Sequence, residues 1–280
     1  HSRNQKAVQM LECNAADCGK LRVEEDDRYV YVGNAAFSYT YNKLTGLFEK
    51  MVYEQQQILE HPMEINIWRA PTDNDRNIKS EWMRAHYDKS VTRAYTTTVQ
   101  QTTNEVIIQS TVSVSVVIIQ RILNIQLSWR IGMDGVIDVD MQVTRDPEFP
   151  ELPRFGIRLF LPDEMGEVTY YGLGAVESYM DKRRASSHGQ YSDQVIHMHE
   201  DYIRPQENGS HYDCDYVTVK GKRTGVSVVS GETFSFNTSI YTQEELTEKA
   251  HNYELVPSGH TVLCVDYRQD GIGSNSCGPR

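Results

Sequence analysis

The chain has 280 residues, enough for one large β domain or two of ordinary size. Hydrophobic residues make up only 39%, a low share that 17 Tyr, 7 Phe and 3 Trp offset by burying large areas behind polar edges. A formal net charge of −11 repels phosphate backbones and anionic lipid, which argues against nucleic acid and membrane surfaces as partners and leaves neutral ligands such as sugars open.

Residues 1–20 lack periodicity and read as a linker or the trailing part of a preceding domain. The opening HSRNQKAVQM has neither an apolar signal core nor an initiator Met, so the chain is expected to be a piece of a longer one. No apolar run approaches the roughly 20 residues that span a bilayer. Five scattered cysteines, Cys13, Cys18, Cys214, Cys264 and Cys277, suit free thiols in a reducing cytoplasm better than a disulfide framework. In such a compartment the Asn-x-Ser/Thr sequons at Asn208 and Asn237 are chance matches.

From residue 21 onward strand signals dominate. Short candidates fall at 28–32, 36–41, 47–53 and 104–110. TVSVSVVII (111–119) alternates and then turns wholly apolar, as a strand buried on both faces does. IQLSWRI (125–131) places Ile125, Leu127, Trp129 and Ile131 on one face, and VIDVDMQV (136–143) does the same with Ile137, Val139, Met141 and Val143. Between them Asp134-Gly135 supplies the positive φ of a hairpin. RDPEFPELPR (145–154), with three prolines, reads as a connection between sheets and not as a domain boundary. Further strands are expected at 154–161, 215–219, 225–229, 233–237 and 261–267. Two helices interrupt them. One spans 80–89 with a partial apolar face of Trp82, Ala85 and Tyr87 or His86. The other spans 242–251, where Thr242 and Glu245 form a reciprocal capping box. Many strands, short turns and one or two short helices predict two packed antiparallel sheets.

Several polar clusters invite chemistry. Asp73-Asn74-Asp75 lacks the alternating oxygens and the glycine of a calcium loop, and Arg76 adds positive charge, so it reads as turn scaffolding ahead of a helix, not as a metal site. Trp68 and Pro71 read as core anchors beside it, with Arg69 as partner for Asp73 or Asp75. Glu177 and Asp181 are four apart, but spacing alone does not make them a glycosidase pair, and Asp181 is expected to pair with Lys182, Arg183 or Arg184 above Tyr179. Glu207 and His211 form a possible acid–base couple in a turn-rich stretch. His197 and His199 share a face of an extended run without a third ligand. Gly172-Leu173-Gly174 is not a dinucleotide fingerprint, because no third glycine and no helix follow. GIGSNSCGPR (271–280) offers glycines for close backbone approach and Ser274, Asn275 and Ser276 as hydrogen-bonding groups.

Taken in order, FSYTYNKLTGLFEKM, NIWRAPTDNDR, YYGLGAVESYMDKR, YIRPQENGSHYD, FSFNTSIYTQEELTEKAHNYEL and GIGSNSCGP resemble the C-terminal, small-chain region (domain 5) of bacterial lac-operon-type β-galactosidases of glycoside hydrolase family 2. The resemblance covers residues 21–280 and implies one large antiparallel β supersandwich of the galactose mutarotase-like type, truncated before its last strand. It implies that the catalytic glutamates, the Mg2+ and a monovalent cation belong to a TIM barrel and other domains outside this chain, and that the chain alone is inactive. It further implies a cytoplasmic, homo-oligomeric parent acting on β-galactosides such as lactose. In this region the resemblance assigns Trp68, Arg69, Asp73, Asn74 and Asp75 to a structural motif, and Arg76, Asn77, Ile78, Lys79 and Ser80 to a loop that gates the site, with Asn77 where a glycine is usual. Asn275, Ser276 and Cys277 fall in a substrate-facing loop, with Cys277 at the position of an aromatic that stacks on sugar; Ser-Cys-Gly-Pro is a variant form of that loop. Two rival readings share the fold: an aldose mutarotase-like enzyme using Glu207 and His211, and a non-catalytic carbohydrate-binding module.

Overall fold

The computed structural model describes residues 19–116 and 120–273. Sixteen strands and two short helices fill it, and the strands form three antiparallel sheets. The mainly-β expectation holds, with three sheets where two were predicted. The chain divides into two compact units, one built from residues 19–64 and 89–149, the other from residues 65–88 and 150–273.

The first unit contains a five-stranded sheet of β1 (Arg22–Glu25), β2 (Tyr29–Gly33), β3 (Phe37–Asn42), β4 (Leu47–Tyr53) and β5 (Gln56–Gln57), paired in chain order. Its second sheet runs β10 (Ile137–Arg145), β9 (Gln120–Gly132), β8 (Glu105–Val116), β7 (Val91–Gln101). On β9 the alternation of Ile125, Leu127, Trp129 and Ile131 is realised as four buried side chains. Phe48 meets Trp129 edge-on at 5.1 Å, and the Trp129 indole donates to the Gly46 carbonyl at 3.0 Å. Tyr39 and Tyr41 bury their rings and spend their hydroxyls on the Gly135 carbonyl (2.8 Å) and Ser110 Oγ (2.7 Å), so neither polar tip is stranded. The hairpin between β9 and β10 turns at Gly135 with φ 81, as expected.

Several expectations are corrected here. The candidates 104–110 and 111–119 form one strand, β8, through Val116, and residues 117–119 lie outside the described residues. On β10, Val139 and Val143 are exposed instead of half-buried, because this strand is an edge paired only to β9. β7 was not foreseen at all, since an edge strand wetted on both faces, VTRAYTTTVQQ, carries no period-2 signal.

The second unit is organised by a seven-stranded sheet in the order β13 (Ser187–Gln194), β12 (Glu167–Gly174), β14 (His211–Lys220), β15 (Gly225–Ser239), β16 (His260–Gln269), β11 (Arg154–Pro162), β6 (Glu64–Asn66). β15 merges the two short candidates at 225–229 and 233–237, and β12 and β13 were missed. The proline-rich 145–154 stretch does connect two sheets. It also carries the change from one unit to the other between Phe149 and Pro150, which the sequence reading had not expected. Both helices are shorter than predicted. α1 spans Lys79–Arg84 and is followed, after His86 at φ 55, by a 3-10 turn at Tyr87–Lys89. α2 spans Gln243–Glu248, and Thr242 accepts from the Glu245 amide at 3.2 Å. The return half of the expected box is replaced, because Glu245 Oε1 accepts from the Val256 amide at 2.9 Å.

Replacing Trp129 by Ala removes the ring against Phe48 and orphans the Gly46 carbonyl, so unfolding in urea should show a loss of about 3–5 kcal/mol.

Candidate functional site

The stretch NIWRAPTDNDR begins in β6 and ends in a 3-10 turn at Asp73–Arg76. Proline at 71 and the small Ala70 let the chain leave the sheet, and the turn is closed by its own side chains. Asp75 Oδ2 accepts from the Thr72 amide at 2.9 Å, while the Asp75 amide donates to the Thr72 carbonyl at 3.0 Å. Arg69 and Asp75 are fully buried and meet at 2.8 and 2.9 Å. The expected Arg69 partnership is therefore made with Asp75, and Asp73 stands exposed. Trp68 is a buried anchor, donating to Thr247 Oγ1 at 3.3 Å, whereas Pro71 is only half-buried because it lies where the chain emerges.

Arg69 does more than neutralise Asp75. Its guanidinium also donates to the carbonyls of Asp270 (2.5 Å) and Gly271 (3.0 Å), just beyond β16. Asn74 Nδ2 adds a bond to the Ile272 carbonyl at 2.7 Å. On the far side Asp181 accepts from the amides of Ile272 (3.0 Å) and Gly273 (2.7 Å). Residues 270–273 are thus gripped from both sides. Asp181 serves the backbone, and Lys182 goes to Glu177 instead, at 2.5 Å, a pairing the sequence reading did not anticipate.

These segments frame an open depression of about 540 Å³, lined by Thr72, Asp73, Asn74, Asp181, Lys182, Tyr202 and neighbours including Gln206, Glu207 and Gly273. The volume is that of a small-molecule site, and the lining is rich in groups that bond hydroxyls. Beneath its wall Glu177 is buried and receives Lys182, the Tyr202 hydroxyl and the Gly209 amide (2.7 Å). Burial works against the charge of Lys182, but its bonds to Glu177 and Tyr202 prevail and hold its pKa above the ordinary value.

Glu207 and His211 do not form a couple. Glu207 is buried with Oε2 3.4 Å from Arg154 Nη1, and Arg154 also holds Asp266 through two bonds, at 3.1 and 2.8 Å. Among the described residues Glu207 Oε1 has no hydrogen-bond partner, and Glu207 is one of the residues lining the depression. His211 Nδ1 faces the Tyr170 hydroxyl (2.9 Å) and the Leu173 carbonyl (3.2 Å), and burial lowers its pKa to about 4. Burial also pushes the Cys264 thiol up to about 12 and raises that of Cys214, so both free thiols are inert packing groups.

Other candidates disperse. His197 ends a 3-10 turn and pairs with Asp193 at 3.1 Å, while His199 is largely covered and 3.5 Å from Asp201, so they do not share a face. Among the described residues no three His, Cys, Asp or Glu side chains cluster as a metal site. Asn208 and Asn237 are buried, and Asn237 donates to the Asn208 carbonyl at 2.5 Å, so neither sequon can carry a glycan in this fold. Gly172 and Gly174 lie on β12, where a Cβ on Gly172 would strike Cys214. The segment read as a gating loop forms the last turn residue Arg76, the helix entry Asn77–Ile78 and the first turn of α1, with Ser80 Oγ donating to the Asn77 carbonyl at 3.0 Å. Cys13, Cys18, Asn275, Ser276 and Cys277 lie outside the described residues. Tyr202 and Gln206 were not singled out from sequence, and Lys182 was named only as a partner for Asp181; the one available signal was the run of polar residues around Pro205.

Fold and site together define an antiparallel β region that frames a polar depression from its loops. A family model described as "Beta galactosidase small chain" matches residues 33–280. Curated relatives include the β-galactosidase of Actinobacillus pleuropneumoniae, 46% identical over 261 residues, covering 92% of this chain and 25% of the relative. That of Staphylococcus xylosus is 35% identical over 265 residues, covering 94% and 27%, and that of Kluyveromyces lactis 27% identical, covering 92% and 26%. The chain belongs to the β-galactosidase small-chain family, and it spans about a quarter of the length of these relatives.

Two measurements probe this construction. Asp75→Ala strands a buried guanidinium and should cost about 3–5 kcal/mol in urea unfolding, while Arg69→Met with Asp75→Leu should cost less because no charge stays buried. His211 is neutral in the fold and binds its proton more readily once unfolded, so its contribution is complete above about pH 6.5 and is lost as pH falls toward 4. Stability should drop across that window by about 3 kcal/mol, from the 1.36 kcal/mol per pKa unit, and His211→Gln should flatten the profile.

Proposed function

We propose that this chain is the C-terminal part of a retaining β-galactosidase that hydrolyses terminal β-D-galactosides, and that it walls and gates an active site whose catalytic glutamates are carried elsewhere in the parent enzyme. The observation that carries this reading is the grip on residues 270–273. Arg69, Asn74 and Asp181 fasten residues 270–273 beside the 73–76 turn, so Ile272 and Gly273 line one depression together with Asp73 and Asn74.

The carboxylates at this depression suit support more than bond cleavage. Retaining hydrolysis needs two carboxyl groups about 5–5.5 Å apart, one free to attack and one holding a proton. Here Asp181 is committed to two amides, and Glu177 lies behind the wall with three donors. Glu207 is anchored to Arg154. Asp73, Asn74, Lys182 and Gln206 are suited instead to orient hydroxyls around a sugar. On this reading Mg2+ and a monovalent cation are bound by other domains of the parent enzyme. α1 is anchored by the buried Trp82, which donates to the Glu151 carbonyl at 3.0 Å, so the gating motion is assigned to the exposed entry at Arg76 and Asn77. Cys277 in place of a ring gives a sugar no apolar face, so stacking at that loop is weaker than an aromatic would provide. Two buried free thiols and the absence, among the described residues, of a helix able to cross a membrane are in keeping with a cytoplasmic enzyme. The couple that a mutarotase reading needs is not formed, because His211 is held in a buried neutral state and Glu207 pairs with Arg154.

The test is hydrolysis of o-nitrophenyl β-D-galactoside and lactose by the intact parent enzyme and by this chain alone, with the anomer of released galactose read by NMR. The intact enzyme is expected to release β-galactose and the chain alone to show no turnover. Release of α-galactose, or turnover by the chain alone, would overturn the reading.

A further inference from the structure

The two edges of the sheet β10-β9-β8-β7 are finished differently. A free edge presents a row of unpaired amides and carbonyls, and proteins blunt such rows with bulges, prolines or basic side chains. β7 carries these devices. Its pairing with β8 slips between Ala94 and Thr96, and Tyr95 at the slip is flanked by the guanidiniums of Arg93 and Arg121, 5.4 and 4.6 Å from its ring centre. β10 lacks them. It pairs with β9 without interruption along IDVDMQVTR, with no proline, no lysine and no arginine before its last residue. Among the described residues no strand pairs with its other edge.

The apolar face of β10 is open as well. Ile137, Val139, Met141 and Val143 lie opposite Ile131, Trp129, Leu127 and Ile125 of β9, so they extend a face that is buried one strand further in. Val139 is nevertheless 44% exposed and Val143 38%. A strand added at this edge would cover both and satisfy the outward backbone groups together.

The residue order within β10 selects the strand that fits. Set antiparallel to its own copy about Met141, it brings Val139 opposite Val143, Met141 opposite Met141, Asp140 opposite Gln142 and Asp138 opposite Thr144. No carboxylate then faces a carboxylate. Centring the pair on residue 140 would set Asp140 against itself, and centring it on 142 would set Asp138 against Asp146. Like charges directly opposite destabilise a sheet. Intermediate registers turn the apolar face of one copy to the polar face of the other. We infer that β10 pairs with β10 of a second copy of this chain, in antiparallel register about Met141, so that the two four-stranded sheets become one across a two-fold axis.

The experiment uses the intact parent enzyme and reads mass and linkage, so it is independent of the activity proposed above. In this register the two Cα atoms of residue 141 lie about 4.5–5.5 Å apart, inside the roughly 4.4–6.8 Å span of a disulfide. Met141→Cys should form a 141–141 disulfide under mild oxidation, identified by mass spectrometry and necessarily between chains. Asp140→Cys should form no 140–140 link, because those residues sit diagonally. Co-expressed Asp140→Cys and Gln142→Cys chains should form a 140–142 link. Val139→Lys with Val143→Lys, both at exposed positions, should halve the mass of the assembly in light scattering. A monomeric wild-type enzyme, absence of either expected link, a 140–140 link, or an unchanged mass in the lysine variant would overturn the inference.

Discussion

Arg69 carries a positive charge with no water to stabilise it, a situation that costs several kcal/mol unless the charge is paired and its terminal donors find acceptors. Its solution organises the functional end of the second unit. One arm meets Asp75 and closes the turn, and the same guanidinium reaches past it to the carbonyls of Asp270 and Gly271. Remove the charge and two chain segments about 200 residues apart in sequence lose their common fastening. Asp181 and Asn74 then hold only what Arg69 has already brought near. Both shape and chemistry of the depression follow from that order of dependence.

A similar logic runs through the neighbouring Arg154. One guanidinium faces two carboxylates, Asp266 on β16 and Glu207 in the loop before β14. Gly156 sits beside this cluster at a bulge in the β11–β16 pairing, where a Cβ would run into the Val265 carbonyl and Asp266. Buried charge of this kind gives little net stability but penalises any register in which the partners miss. Arg154 on β11 and Asp266 on β16 thus tie the register of two neighbouring strands.

Where the sequence was legible, one physical signal was local and undiluted. β9 alternates cleanly because it is central and half-buried, and Gly135 marks its hairpin because only a positive φ fits. An ion pair of Arg69 with Asp73 or Asp75 was readable because an arginine beside the apolar Ile67 and Trp68 needs a nearby carboxylate to be buried, and the structure selects Asp75. Legibility failed at edges and at long range. β7 and β13 are edge strands with little buried surface, so no alternation is written into them. The depression failed for another reason: Lys182, Tyr202, Gln206 and Gly273 meet only after the sheet is assembled, and no local pattern encodes that meeting. Long motifs resembling a known family carried what periodicity could not, namely membership of the β-galactosidase small-chain family.

The reach of Arg69 also has a meaning in time. A ribosome adds about 5–20 residues per second, so about 10–40 s separate the emergence of Arg69 from that of Gly271. Throughout that interval the guanidinium lacks the carbonyls it needs in order to be buried, and β6 waits for β11, which follows some 90 residues later. The first unit, with its two sheets closed by residue 149, is free to fold meanwhile. A nascent chain of this kind carries an unfinished, charge-bearing strand for tens of seconds, and the charge itself keeps that strand in water until its acceptors arrive.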